Sequence, residues 1–85
     1  MKKTYLLVLS SQYDRDKVTA MFDRQAPRAF WFYSLPYSVF LKTTLSAREI
    51  SELLIAEFGK HRHFITEVTP NRWGVLPTDH WEEFG

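Results

Sequence analysis

The chain has 85 residues, 11 basic and 10 acidic, so its formal net charge is only +1. That length makes one domain, and the near-neutral charge removes any polybasic signature demanding nucleic acid or an anionic membrane. Cysteine is absent, which excludes disulfides, thiolate metal sites and a cysteine nucleophile.

A domain this small buries only about 60–65% of its unfolded surface, so its core has little margin. Aromatic residues make up 16% of the chain and offset that deficit, because each large ring can bury about 150–250 Å². There are more rings than one thin core requires, and the surplus is expected at a partner interface.

The first element is an apolar run over residues 4–10, read as a covered or central strand. Lysines precede it, as in a signal peptide. Ser10-Ser11-Gln12 ends the run far short of the ~20 apolar residues of a membrane span, so a buried strand in a cytoplasmic protein is expected.

Asp14 can cap a helix running to about Gln25. Val18, Met21 and Phe22 fall on one stripe, Asp16 lies in the first turn, Arg24 lies near the last, and Pro27 ends the helix. Two aromatic strands follow, over 29–34 and 37–44, joined by Leu35-Pro36 as a hairpin. Ser46-Ala47-Arg48-Glu49 has the form of a capping box. Ile50, Leu53, Leu54 and Phe58 then form a helical stripe, and Gly59 supplies a left-handed terminal residue. Lys60, His61 and Arg62 are expected to complement the helix dipole. A last strand covers about 63–69. The tail is expected to carry one helical turn over 78–84, capped by Thr78.

The order β-α-β-β-α-β predicts an α+β, ferredoxin-like sandwich: a four-stranded antiparallel sheet with both helices on one face and a short C-terminal tail. The run Phe30-Trp31-Phe32-Tyr33 puts rings on both faces of the sheet. The face without helices is therefore expected to be apolar and covered by the tail, about 70–85, or by a second copy of the chain.

The stretches Phe30-Trp31-Phe32-Tyr33, Ser38-Val39-Phe40-Leu41-Lys42-Thr43 and Leu45-Ser46-Ala47-Arg48-Glu49-Ile50 resemble small ferredoxin-like proteins of the CRISPR-associated Cas-two and SinR-like group. Phe64-Ile65-Thr66-Glu67-Val68, then Gly74-Val75-Leu76-Pro77 and Trp81, are similar to that group's last strand and tail. The resemblance spans roughly residues 4–81. It implies a homodimer that either holds a protein or nucleic-acid partner or acts as a metal-dependent nuclease, with VapD-like ribonucleases as neighbours. A small domain of this kind is expected in a CRISPR locus, a toxin–antitoxin pair or a phage. The group's nuclease members carry an acidic residue at the end of the first strand. Here Ser10 occupies that place and Tyr13-Asp14 comes later.

Several candidate sites follow. Asp14 and Asp16 could hold Mg²⁺ or Mn²⁺ for phosphodiester cleavage, with Asp14 catalytic, or could serve only as helix cap and first-turn charge. No other cofactor is expected. His61 and His63, two apart on an extended segment, face one way as a potential metal pair. Lys60, His61 and Arg62 could contact phosphate, or form a solvated basic turn. Trp31, Tyr33, Phe40, Trp73, Trp81 and Phe84 are candidates for a partner or dimer interface, against packing within the fold. A base-stacking sheet of the RNA-recognition type is a further reading, although the third strand lacks that motif's glycine and basic lead-in. Ser10, Ser11 and Ser38 show no His-Asp order that would suggest a triad.

Overall fold

A computed structural model describes residues 1–84. The elements in order are β1 (Lys3–Leu9), α1 (Arg15–Gln25), β2 (Phe30–Phe32), β3 (Ser38–Thr43), α2 (Ala47–Phe58), β4 (His63–Glu67) and α3 (Thr78–Glu83). The four strands form one antiparallel sheet in the order β2-β3-β1-β4.

Register decides which residues share a face. Tyr5 pairs with Leu41 and Glu67, Leu7 with Val39 and Ile65, and Trp31 with Leu41. Successive side chains alternate across a strand, so these rows share one face with Leu9. Val18, Met21 and Phe22 of α1 pack there, as do Ile50 and Leu54 of α2, and all join Leu7, Val39 and Leu41 in one core cluster. The stripe expected on α1 is buried, and of the stripe expected on α2 Ile50 and Leu54 are buried while Leu53 and Phe58 are partly buried against the core.

The caps explain where the helices begin. Asp14 Oδ1 accepts from the Asp16 and Lys17 amides at 3.0 and 3.4 Å. Ser46 Oγ accepts from the Glu49 amide at 3.1 Å while Glu49 accepts from the Ser46 amide at 2.9 Å, completing the reciprocal box.

Details depart from expectation at four places. Strand β2 is only three residues long, because Tyr33 and Ser34 have already left the ladder ahead of the turn at Leu35, Pro36 and Tyr37. That turn is held by Leu35, whose carbonyl accepts from Ser38 Oγ at 3.0 Å and from Arg15 at 2.8 Å. Tyr37 adopts φ 57°, a left-handed conformation that costs a non-glycine residue about 1–2 kcal/mol. Gly59 has positive φ but not the left-handed helical conformation; at φ 91° and ψ 174° it sits in a region essentially reserved for glycine. The basic residues after it lie beyond the last turn of α2, which carries no cation of its own. Thr78 is the first residue of α3 rather than its cap. Pro77 occupies the cap position and supplies no side-chain hydrogen bond. No helix among the described residues is long and apolar enough to cross a membrane.

Candidate functional site

The sheet face opposite the helices is built by the alternate residues of each strand. Across it run the rows Phe64–Val8–Ser38, Thr66–Leu6–Phe40–Phe32 and Thr4–Lys42–Phe30. The tail covers only part of this surface. Helix α3 lays Phe84 against Phe40 and Phe32, with ring centroids 5.0 and 5.6 Å apart, and His80 against Phe32 at 5.2 Å. Phe32 and Phe40 stack on each other at 5.0 Å and are 7% and 6% exposed. The Arg72 guanidinium lies over the Phe84 ring at 5.2 Å and donates to the Thr69 carbonyl. Lys42 and Glu83 pair across the edge of the contact at 3.8 Å.

The β1–β4 half of the face is left open. Between it and the tail lies a cleft of about 490 Å³, floored by Leu6 and Phe40 and walled by Leu35, Trp73, Val75, Trp81 and Phe84. Trp73 is 97% exposed and Val75 96%, while Phe64 on β4 is 66% exposed. Glu67 borders the cleft and is paired with Lys3 at 3.6 Å. The Nε of Arg72, also on the cleft wall, is buried without a hydrogen-bond partner. An apolar cleft of this kind binds apolar side chains by excluding water.

The aromatic candidates divide between the two faces. Phe40, Trp81, Phe84 and Trp73 gather around the cleft. Trp31 and Tyr33 lie on the helix side, stacked on each other at 6.0 Å. There Trp31 Nε1 donates to Asp23 of α1 at 2.9 Å, and the Arg15 guanidinium covers the Tyr33 ring at 3.5 Å. Leu6 and Val75 join the cleft, and Phe64 lies on the same sheet face beside Val8, although their residue types alone do not single them out. For the two strand residues the signal in the sequence is alternation, Phe64 against Ile65 and Leu6 against Leu7, which assigns them to the open face once register is known.

The polar candidates are placed as follows. Asp14 is engaged as the cap of α1, and with Asp16 and Arg15 it borders a smaller cleft of about 330 Å³ that also includes Tyr37. The cluster of Lys60, His61 and Arg62 splits: Lys60 and Arg62 are exposed, whereas the His61 ring meets Tyr13 edge-on at 5.6 Å. His63 is fully engaged. Its Nδ1 lies 3.0 Å from both the His61 carbonyl and the Tyr13 hydroxyl, and its Nε2 lies 2.7 Å from Ser51 Oγ. A carbonyl can only accept, so Nδ1 carries a proton, and in the neutral ring Ser51 donates to Nε2. This network ties α2 to β4 and to the loop before α1. Burial pushes the Tyr13 phenol above its ordinary pKa. No group of three His, Asp or Glu side chains that could hold a metal is found among the described residues.

Comparison with known proteins adds no assignment. No family model, curated protein or solved structure matches the chain.

Proposed function

We propose that this chain is a small homodimeric interaction module, ferredoxin-like and of the Cas-two/SinR-like kind, that binds a protein or nucleic-acid partner. One observation carries the reading: half of the open sheet face stays apolar and uncovered after the tail has docked. Val8, Phe64, Trp73 and Val75 are exposed there together with the cleft. A monomer of 85 residues that leaves such a surface in water forgoes stabilisation it can hardly spare, and apolar surface of this kind marks an interaction site. The ferredoxin-like part of the reading draws on the β-α-β-β-α-β order and on the sheet, which reads β4-β1-β3-β2 from its other edge.

A second reading, a metal-dependent nuclease, is favoured by the position of Asp14 and Asp16 beside Arg15 at the smaller cleft. One experiment separates the two. Purified protein is sized by light scattering and incubated with labelled RNA and DNA, single- and double-stranded, with and without Mg²⁺ or Mn²⁺. A dimer that cleaves nothing supports the interaction module. Metal-dependent cleavage abolished by Asp14→Asn supports the nuclease. A monomer at all concentrations refutes the homodimer.

A further inference from the structure

Resting on the homodimer reading, we propose that the tail is reciprocal: Trp73 of one copy inserts into the sheet–tail cleft of a second copy of this chain, and receives that copy's Trp73 in return. The hole is the apolar cleft of about 490 Å³ between Leu6, Phe40, Trp81 and Phe84. That volume lies within the range of about 300–1,000 Å³ in which pockets enclose a group larger than one indole. The knob is Trp73, at 97% exposure the most exposed ring of the described residues, with Val75 beside it at 96%.

Knob and hole adjoin on each molecule, because the Trp73 ring is 6.2 Å from its own Trp81. A two-fold axis passing beside Trp73 therefore serves both insertions at once. The contact closes on itself and forms no open-ended chain of copies.

Area and charge both favour a second copy over a nucleic acid. Trp73 and Phe64 can each bury about 150–250 Å², and with Val75, Val8 and Leu35 the apolar surface reaches on the order of 600 Å² per copy. The polar rim brings this near the ~800 Å² per partner of a standard interface. Lys42, on this face, is paired with Glu83, and Arg72, which lines the cleft, lies over the Phe84 ring. Arg62, exposed beside Val8 and Phe64, adds a single cation, too few for a stripe that follows a phosphate backbone, whereas an apolar surface is complementary to its own copy.

The test uses the full chain labelled with 5-fluorotryptophan, whose three indoles give three fluorine resonances. Trp73→Phe assigns the Trp73 signal. Sedimentation equilibrium from low to high micromolar concentration measures association for the parent, Trp73→Ala and Val75→Glu. Both substituted side chains are solvent-exposed, so the far-UV spectrum should not change. The expected result is a dimer that each variant weakens by about tenfold or more. The Trp73 resonance should move on dilution through dissociation while that of Trp31 stays fixed. A dimer indifferent to both variants, with a Trp73 signal independent of concentration, overturns the insertion and leaves the homodimer standing. A monomeric mass throughout overturns both.

Discussion

Replacing Phe84 with alanine asks whether the tail belongs to the fold. The Phe84 ring touches Phe40, Phe32 and Trp81 at 5.0, 5.6 and 5.6 Å and lies under the Arg72 guanidinium. Truncating a fully buried phenylalanine costs about 3–5 kcal/mol. Phe84 is partly exposed, and the end of a terminal helix can relax, so about 2 kcal/mol is expected here. In a domain of 60–100 residues each kcal/mol moves the midpoint by about 4–8 °C, so Tm should fall by roughly 8–16 °C. Thermal and urea unfolding at one fixed protein concentration measure it, because subunit association would shift the midpoint by mass action. Glu82→Ala, on the exposed side of the same helix, is the control and should stay within about 0.5 kcal/mol. If Phe84→Ala leaves both midpoints at the parent values, α3 opens independently of the sheet. The tail would then be no part of the core.

Three other outcomes follow from particular contacts. Tyr37→Asn should stabilise the hairpin by up to about 1 kcal/mol, because asparagine tolerates φ 57° and the tyrosine ring is largely exposed; urea midpoints give the sign. Gly59→Ala should destabilise by about 1–3 kcal/mol in the same assay, through backbone strain, since the nearest atom to an added Cβ is His61 Nε2 at an ordinary 3.5 Å. Tyr13 has a folded pKa raised above 10.0 by burial, so its contribution is full below pH 10 and is lost as pH rises through the folded value. The parent should therefore lose stability in strongly alkaline solution by more than Tyr13→Phe does. Parallel pH titrations of the urea midpoint would refute this if the two curves kept a constant separation.

The local elements were legible in the sequence because their signals are local. The capping box at Ser46, the Asp14 cap and the stripes Val18–Met21–Phe22 and Ile50–Leu53–Leu54 depend on spacings of three and four residues, and a helix closes its own hydrogen bonds at those spacings. The α+β class and the four-stranded antiparallel sheet followed from the order of those elements. The division of the rings did not. Trp31 and Phe32 are neighbours of similar character, and only register puts one under α1 and the other under α3. Nor could composition reveal that Phe84 would cover Phe40 while Trp73 and Val75 stayed in solvent. A six-residue helix has too few internal hydrogen bonds to fix its own position, so packing on Phe32 and Phe40 decides it. The sequence by itself determined α1 and α2, their N-caps and the surplus of aromatic surface. The tertiary structure alone decided where that surplus is buried and where it is left open, because burial depends on contacts between residues distant in the chain.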